Sequence, residues 1–178
     1  FTWTPFANAG NGIYDKAQIQ PSIELQASPF DLDQVRLLDG PFKDAMALDR
    51  KYLLELDPDR MLGVIFKCSG QTPKVDHRYG GGCSGTLVGH YLTAISKMHA
   101  STGDEELKKR AHYMVDELER VQVANGGQYN GVRNSREMIQ KKLFDAEVLN
   151  AIHGNVNGLD QFLYCWHKTT AGLIDAFV

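Results

Sequence analysis

An apolar run with helical spacing follows a cluster of glycines in the first half of the chain. The glycines are Gly80, Gly81, Gly82 and Gly85. The run places five apolar side chains at i, i+4, i+7, i+8 and i+11, which is one stripe of an α-helix. They are Leu87, Tyr91, Ala94, Ile95 and Met98. His90 falls in the first turn of this predicted buried helix, where the glycine loop can open onto a cavity. Its side chain has two interpretations, a substrate contact or a satisfied structural group.

The pattern around His90 recurs near the end of the chain. His90-x-x-Thr-Ala matches His167-x-x-Thr-Ala, and the two histidines lie 77 residues apart, each before an apolar helical run. Recurrence at such a period predicts stacked helical hairpins, with one inner helix from each repeat.

Two further helices are predicted from caps and stripes. The first begins with Asp39 as N-cap and Pro41 in its first turn, and ends at Asp57-Pro58. Its predicted shared face is Phe42, Ala45, Met46, Tyr52, Leu53 and Leu56. The chain from Arg60 to Arg78 is predicted to be irregular, because Gly63, Gly70 and Pro73 interrupt it.

The second of these helices follows the turn Ser101–Asp104 and forms a hairpin with the His90 helix. Asp104 is the predicted cap, and Asn125-Gly126 the predicted left-handed stop. Its stripe is Leu107, Ala111, Met114, Val115, Leu118 and Val121. A thinner pattern predicts one more helix from Asn134 to about Asn150. Residues 1–34 are predicted to form a peripheral extended arm, with a short strand at Ile19–Leu25.

Composition limits the class of protein. The 178 residues are 43% hydrophobic and 23% charged, as in an ordinary globular domain. A net charge of −3 argues against a nucleic-acid partner, and no apolar run reaches the roughly 20 residues that span a membrane. The chain opens at Phe1 without a signal-like segment, so any targeting peptide is expected to be removed or to lie outside the sequence. A secreted or periplasmic location is slightly favoured.

The residues alone do not reveal a catalytic centre. The acidic residues fall mostly on predicted solvated helix faces, and no loop presents an obvious pair of carboxyl groups for acid–base catalysis. Cys68, Cys83 and Cys165 lack C-x-x-C spacing and are interpreted as small buried hydrophobic residues. Cys83 is the exception to this interpretation, because it lies in the glycine loop beside His90.

Three segments resemble a known family. They are Leu37–Leu62, Gly89–Ala111 and Tyr164–Phe177. The motifs Gly-His-Tyr-Leu-Thr-Ala and Tyr-x-x-His-Lys-x-x-Ala-Gly-Leu-x-Asp-Ala are similar to the N-terminal part of the β-L-arabinofuranosidase glycoside hydrolases (families 127 and 146, once called domain of unknown function 1680).

This resemblance implies an all-α fold, an (α/α)6 toroid, with residues 35–178 as an incomplete N-terminal portion of the catalytic domain. It also implies catalysis by a zinc-bound cysteine with a glutamate acid/base, both downstream of the matched region. No catalytic residue and no metal site are therefore expected in this chain, and zinc is expected in the full-length domain. The 178 residues alone are expected to be inactive, because they would lack the rest of their own catalytic domain.

The resemblance also implies the site residues. His90 and His167 correspond to histidines that line the sugar pocket, and Tyr164 to the tyrosine of the second motif. Tyr79 opens the loop that corresponds to Tyr-Gly-Gly-Trp-Glu in the family, where this chain has Gly82 and Cys83. Thr86 replaces a further family histidine. These departures put the identity of the substrate in doubt.

Three functions remain open. The leading one is hydrolysis of terminal β-L-arabinofuranosyl linkages in an arabinose-containing glycan. The second is a non-catalytic helical carbohydrate-binding or interaction module with a degenerate site. The third is a toroid with different chemistry, as in unsaturated uronyl hydrolases, which share the architecture by analogy. A downstream Glu-x-Cys with paired cysteines would favour the first, and its absence from the gene would favour the second.

Overall fold

The computed structural model describes residues 30–75, 85–129 and 159–177, together with residues 27, 79 and 131. Within these residues the chain is helical and contains no strand. The elements are a short 3-10 helix (Leu32–Gln34), α1 (Pro41–Glu55), α2 (Pro58–Cys68), α3 (Gly85–Thr102), α4 (Glu105–Ala124) and α5 (Leu159–Phe177). The predicted all-α class is confirmed. The predicted strand at Ile19–Leu25 and the helix at Asn134–Asn150 lie outside the described residues.

α1 begins at Pro41 as predicted, but its N-cap is Gly40 and not Asp39. Gly40 has a φ of 148°, a conformation that favours glycine. Asp39 lies one residue outside the cap position, and its carboxylate accepts a hydrogen bond of 2.7 Å from the Lys43 ammonium on the next turn. The predicted cap at Asp39 is therefore wrong by one residue.

α2 overturns the prediction of an irregular chain from Arg60 to Arg78. Asp57 caps this helix by accepting a hydrogen bond of 2.9 Å from the Asp59 amide. The helix buries Met61, Leu62, Val64, Ile65 and Phe66. A helical glycine such as Gly63 costs about 1 kcal/mol relative to alanine. Burial of each large apolar side chain contributes about 1.5–3 kcal/mol, which outweighs that cost. The break comes later, at Gly70, where φ is 73°.

The hairpin of α3 and α4 forms as predicted. Gly103 turns the chain with a φ of 76°. The Asp104 carboxylate caps α4 by accepting hydrogen bonds from the amides of Glu106 (2.9 Å) and Leu107 (3.3 Å). The predicted stripe of α4 is buried, with Val115 only partly so. Past the end of α4, Gly126 has a φ of 62°, which is the predicted left-handed stop.

One apolar core joins α2, α3 and α4. The face that α3 turns to this core includes Val88 and Leu92, both fully buried, whereas the predicted stripe member Leu87 is 37% exposed. The core face is thus rotated from the predicted stripe, because neighbouring residues on a helix are about 100° apart. Tyr91 and Ile95 belong to both the predicted and the observed face.

α1 contributes one buried side chain to the core, Leu53. The predicted apolar face of α1 is wrong for most of its length, since Phe42 in the first turn is 79% exposed and Tyr52 in the last part is 60% exposed. The reason is that α1 approaches the core with its C-terminal end, through Leu53 and not along the Phe42 face.

The C-terminal end of α1 is fastened by Arg110 of α4. Its guanidinium donates to the carbonyls of Leu56 (2.7 Å), Leu54 (2.7 Å) and Leu53 (3.2 Å). A cation at a helix C-terminus also opposes the negative end of the helix dipole. The Tyr91 hydroxyl donates to Leu53 (2.8 Å) and lies 3.0 Å from the Arg110 guanidinium. Burial raises the pKa of the Tyr91 phenol, although Arg110 opposes the rise.

Candidate functional site

α3 and α5, the two helices that carry the repeated histidine motif, pack against each other along much of their length. They run parallel, because their contacts advance in the same direction on both helices. Gly85 lies beside Cys165 and Thr169, whereas Thr93, two turns later, contacts Asp175. The repeat therefore brings the same ends of the two helices together.

Two glycines make the closest approach between these helices. A Cβ atom on Gly89 would lie 2.0 Å from the Lys168 carbonyl oxygen, and one on Gly172 would lie 2.5 Å from the Gly89 carbonyl oxygen. Real Cβ atoms do not come this close to backbone, so glycine is required at both positions for the observed packing. The contact is one of backbone against backbone.

Small and polar side chains surround this crossing. Thr169 is fully buried, and its hydroxyl lies 3.0 Å from two carbonyl oxygens, those of Gly85 and Cys165. Cys165 is also buried and takes part in a disulfide bond. The prediction that Cys165 is a small buried residue is confirmed, and its disulfide was not foreseen. Cys83 lies outside the described residues.

A polar clamp closes the crossing one turn further along. The Thr93 hydroxyl donates to the Asp175 carboxylate at 2.7 Å. The Lys97 ammonium lies 3.4 Å from the other oxygen of the same carboxylate. Asp175 is about three-quarters buried, so this charge-assisted contact is partly shielded from solvent.

His90 lies at the edge of the glycine contact and is exposed. Because Gly89 touches the Lys168 carbonyl, His90 and Lys168 come from abutting turns of the two helices. The Lys168 ammonium lies 5.3 Å from the centroid of the Tyr164 ring, and Tyr164 itself is 54% exposed. The sequence-predicted residues His90 and Tyr164 are thus placed on either side of Lys168.

Helical spacing extends this arrangement into a strip. On α3, Thr93 and Lys97 lie three and seven residues after His90 and share its side of the helix. On α5, Lys168 and Asp175 lie four and eleven residues after Tyr164 and share its side of that helix. We call this strip the α3–α5 polar face, and it consists of His90, Thr93, Lys97, Tyr164, Lys168 and Asp175. The Thr93–Asp175 hydrogen bond shows that the two sets lie on the same side of the helix pair.

His167 is exposed at the outer edge of this face. It precedes Lys168 and lies about 100° further round α5, on the side away from Cys165 and Thr169, the residues that face α3. His167 therefore neighbours the polar face but stands further from α3 than Lys168 does.

Tyr79 is placed away from the polar face, against α2. Its backbone amide donates to the Arg60 carbonyl (3.2 Å), and its hydroxyl accepts a hydrogen bond from the Asp57 amide (3.3 Å). The Arg60 guanidinium lies 3.9 Å from the centre of its ring. These contacts give Tyr79 a structural task at the start of α2. Its predicted role in substrate binding stays a prediction.

A second polar cluster lies on the opposite part of the molecule, between α2 and α4. The Lys74 ammonium donates to the Tyr113 hydroxyl (2.7 Å) and to Glu117 (2.8 Å), and the Tyr113 hydroxyl donates to Asp59. Burial tends to raise the pKa of Glu117, but hydrogen bonds from Lys74 and Arg120 outweigh it and leave the pKa below its usual value. The cluster satisfies its own groups and fastens the chain after α2 to α4.

The residues that the structure describes do not fit a metal centre, since they contain no group of three His, Cys, Asp or Glu side chains that could hold an ion. His99 Nδ1 lies 2.9 Å from the Asp104 carbonyl oxygen, and the Cys68 thiol donates to the Gly131 carbonyl at 3.1 Å. Both side chains thus have structural partners. The zinc implied by the resemblance is not tested by these residues.

Sequence reasoning missed the glycine crossing and assigned no site role to four members of the polar face, which are Thr93, Lys97, Lys168 and Asp175. The Gly85-x-x-x-Gly89 spacing, which puts two glycines on one side of a helix, was the available signal for the crossing. Lys168 and Asp175 are both part of the second family motif, but the motif gave no indication of their neighbours, because their positions depend on how α5 packs on α3.

In the part of the chain that the structure describes, none of the helices has the length and apolar character needed to cross a membrane. A sequence model of the catalytic domain of β-L-arabinofuranosidase, GH127, matches residues 34–178. Among curated proteins, no sequence matches the chain. The family match covers most of the sequence and includes both histidine-bearing helices.

Proposed function

The chain belongs to the GH127 β-L-arabinofuranosidase catalytic-domain family, and on this premise we propose that it supplies sugar-contacting residues for the hydrolysis of terminal β-L-arabinofuranosyl linkages. A glycoside hydrolase of this family acts on carbohydrate, and the family fold is an (α/α)6 toroid. The proposed contacts are His90, His167 and Tyr164.

The observation that carries the proposal is the α3–α5 polar face. Two helices from separate repeats are held parallel by a glycine contact, and the contact presents His90 and Tyr164 on one side. Exposed imidazole and phenol groups on adjacent rigid helices are suited to fixing the hydroxyl groups of a sugar ring. Tyr164 also offers an aromatic face against which the C–H groups of a sugar can pack.

The chain's own residues bind and orient in this proposal, and none is assigned a catalytic role. The one carboxylate of the polar face, Asp175, is engaged by Thr93 and Lys97. We propose that the cysteine nucleophile, its zinc and the glutamate acid/base come from other parts of the domain. Bound zinc would keep that cysteine deprotonated at neutral pH.

The test is binding of L-arabinose to the natural gene product, followed by calorimetry, with His90→Ala and His167→Ala variants, since alanine has no side-chain hydrogen-bonding group. Loss of one sugar hydrogen bond at either position should weaken binding about tenfold. His99→Ala is the matched control, because His99 lies on the same helix as His90 but bonds to the Asp104 carbonyl. Unchanged affinity in both pocket variants would contradict the proposed site.

Hydrolysis of an aryl β-L-arabinofuranoside separates the proposed enzyme from a binding module. The gene product should release the aryl group, and the 178-residue polypeptide alone should not. Arabinose binding without hydrolysis by the gene product would favour the alternative, a non-catalytic carbohydrate-binding module. Hydrolysis by the 178 residues alone would show that catalytic groups lie within this chain.

A further inference from the structure

We propose that Lys168 is a sugar-binding residue of the same pocket, with its ammonium donating hydrogen bonds to hydroxyl groups of the bound sugar. The inference rests on the proposed function, because it adds a contact to the site formed by His90 and Tyr164. Neither the repeat nor the family match assigns this role to the lysine.

The first step is position. The Lys168 backbone lies against Gly89, where a Cβ atom would meet the Lys168 carbonyl oxygen at 2.0 Å. His90 is the next residue after Gly89, so a group held by His90 lies within reach of the long Lys168 side chain. This proximity is fixed by backbone contact and does not depend on a flexible loop.

The second step is orientation. The Lys168 ammonium lies 5.3 Å from the centroid of the Tyr164 ring, a distance at which a cation is attracted to an aromatic ring. The side chain is half-buried, so its stem is held along the helix while its charged end stays near the ring. The ammonium is therefore directed to the part of the polar face where Tyr164 is exposed.

The third step is hydrogen-bonding capacity. A lysine ammonium has three donors, and none of the ion pairs found among the described residues involves Lys168. The acidic member of the same face, Asp175, is already occupied by Thr93 and Lys97. The donors of Lys168 are thus available for the oxygens of a ligand, and adjacent sugar hydroxyls provide such oxygens.

The experiment compares Lys168→Met with the control Lys109→Met in the natural gene product. Methionine keeps much of the length and the apolar stem but removes the ammonium, and Lys109 is exposed on α4, away from the polar face. Calorimetry gives the Kd for L-arabinose, and steady-state kinetics gives KM and kcat for an aryl β-L-arabinofuranoside. Circular dichroism verifies folding, and Lys168→Leu, which also lacks a hydrogen-bond donor, replaces the methionine variant if that variant does not fold.

The expected result is a rise in Kd and KM of about tenfold to a hundredfold in Lys168→Met, as for loss of a charged hydrogen bond. Lys109→Met should leave both unchanged, and Lys168→Arg should restore part of the affinity. A second readout uses arabinosides that lack one ring hydroxyl. The analogue without the hydroxyl that Lys168 binds should lose affinity in the wild type but little more in Lys168→Met.

A Kd and KM in Lys168→Met equal to those of Lys109→Met would overturn the inference. If the His90→Ala variant still loses affinity in that case, the proposed function stands and only the role of Lys168 fails. If the wild type binds no arabinose at all, the failure lies with the proposed function.

Discussion

α3 packs on its two neighbours by opposite means. Toward α2 and α4 it buries large apolar side chains such as Val88, Leu92 and Ile95. Toward α5 its backbone itself touches the other helix, at Gly89 and Gly172, and the buried groups nearby are small or polar. Apolar side chains can shift rotamers to absorb a change, whereas two backbones in contact have no such freedom.

The difference matters for the site because the polar face borders the backbone contact. His90 follows Gly89 directly, and Lys168 supplies the carbonyl that Gly89 touches. The spacing between these side chains is therefore set by the least adjustable contact in the described part of the molecule. The apolar core, by contrast, stabilises the hairpin of α3 and α4 but does not set the spacing between the side chains of the α3–α5 polar face.

The largest effect is expected in the apolar core. Leu92→Ala should lower the free energy of unfolding by about 3–4 kcal/mol, since it removes a fully buried side chain and leaves a cavity. Leu92→Met, which conserves volume, should cost less than about 1.5 kcal/mol. Urea denaturation of the natural gene product measures both. Similar losses of unfolding free energy for Leu92→Ala and Leu92→Met would show that the core accommodates a change of side-chain shape no better than the glycine contact does.

The next effect tests the backbone contact. Alanine in place of a helical glycine normally stabilises by about 1 kcal/mol. Gly89→Ala should instead destabilise by about 3 kcal/mol, because the new Cβ would lie 2.0 Å from the Lys168 carbonyl oxygen. Gly85→Ala on the same helix is the comparison, because its Cβ would meet its nearest neighbour, the Gly131 amide nitrogen, at 3.2 Å and should therefore destabilise less than Gly89→Ala. Equal changes in the free energy of unfolding for the two variants would contradict the backbone contact at Gly89.

Short-range sequence patterns predicted the hairpin of α3 and α4 better than the contact between α3 and α5. The Asp104 cap and the α4 stripe followed from short-range signals, because a cap and a stripe lie within one helix. α2 was missed because Gly63 was weighed as a breaker, while the burial that offsets its cost depends on the neighbouring helices. Burial is a property of the whole fold and is not contained in a single stretch.

The candidate site was predicted in part for a related reason. The repeat identified His90 and His167, and the family resemblance added Tyr164. Lys168 and Asp175 belong to the family motif, but their positions beside Gly89 and Thr93 became evident only from the register between α3 and α5.

A smaller effect is expected from the polar clamp beside the glycine contact. Thr93→Val and Asp175→Ala each remove one partner of this hydrogen bond and should each cost about 1 kcal/mol, the usual net value of a hydrogen bond. Since the two side chains bond to each other, the double variant should cost less than the sum of the single variants. Chemical denaturation of the four proteins gives the coupling energy. Strict additivity would mean that the clamp does not hold α5 to α3.

The smallest expected effect is a change in how the free energy of unfolding depends on pH. It arises at the turn between α3 and α4 and not at the contact with α5. Burial tends to raise the pKa of Asp104, but hydrogen bonds from Arg50 and from the amides of Leu107 and Glu106 outweigh it and lower the pKa. The unfolded chain then binds more protons than the folded one just below the usual aspartate pKa of about 3.9. The stabilisation from Asp104 is complete above that pH and is lost as the pH falls through the folded pKa.

Asp104→Asn isolates this contribution, because asparagine is also a good N-cap but cannot carry the charge that pairs with Arg50. Urea denaturation between pH 6 and pH 3 should show a shallower loss of stability in the variant than in the wild type. A slope should remain, since the pKa of Glu117 is lowered as well and acts in the same direction. Parallel pH profiles for the two proteins would mean that the Arg50–Asp104 pair does not stabilise the turn, and that the hairpin side of α3 depends on its apolar contacts alone.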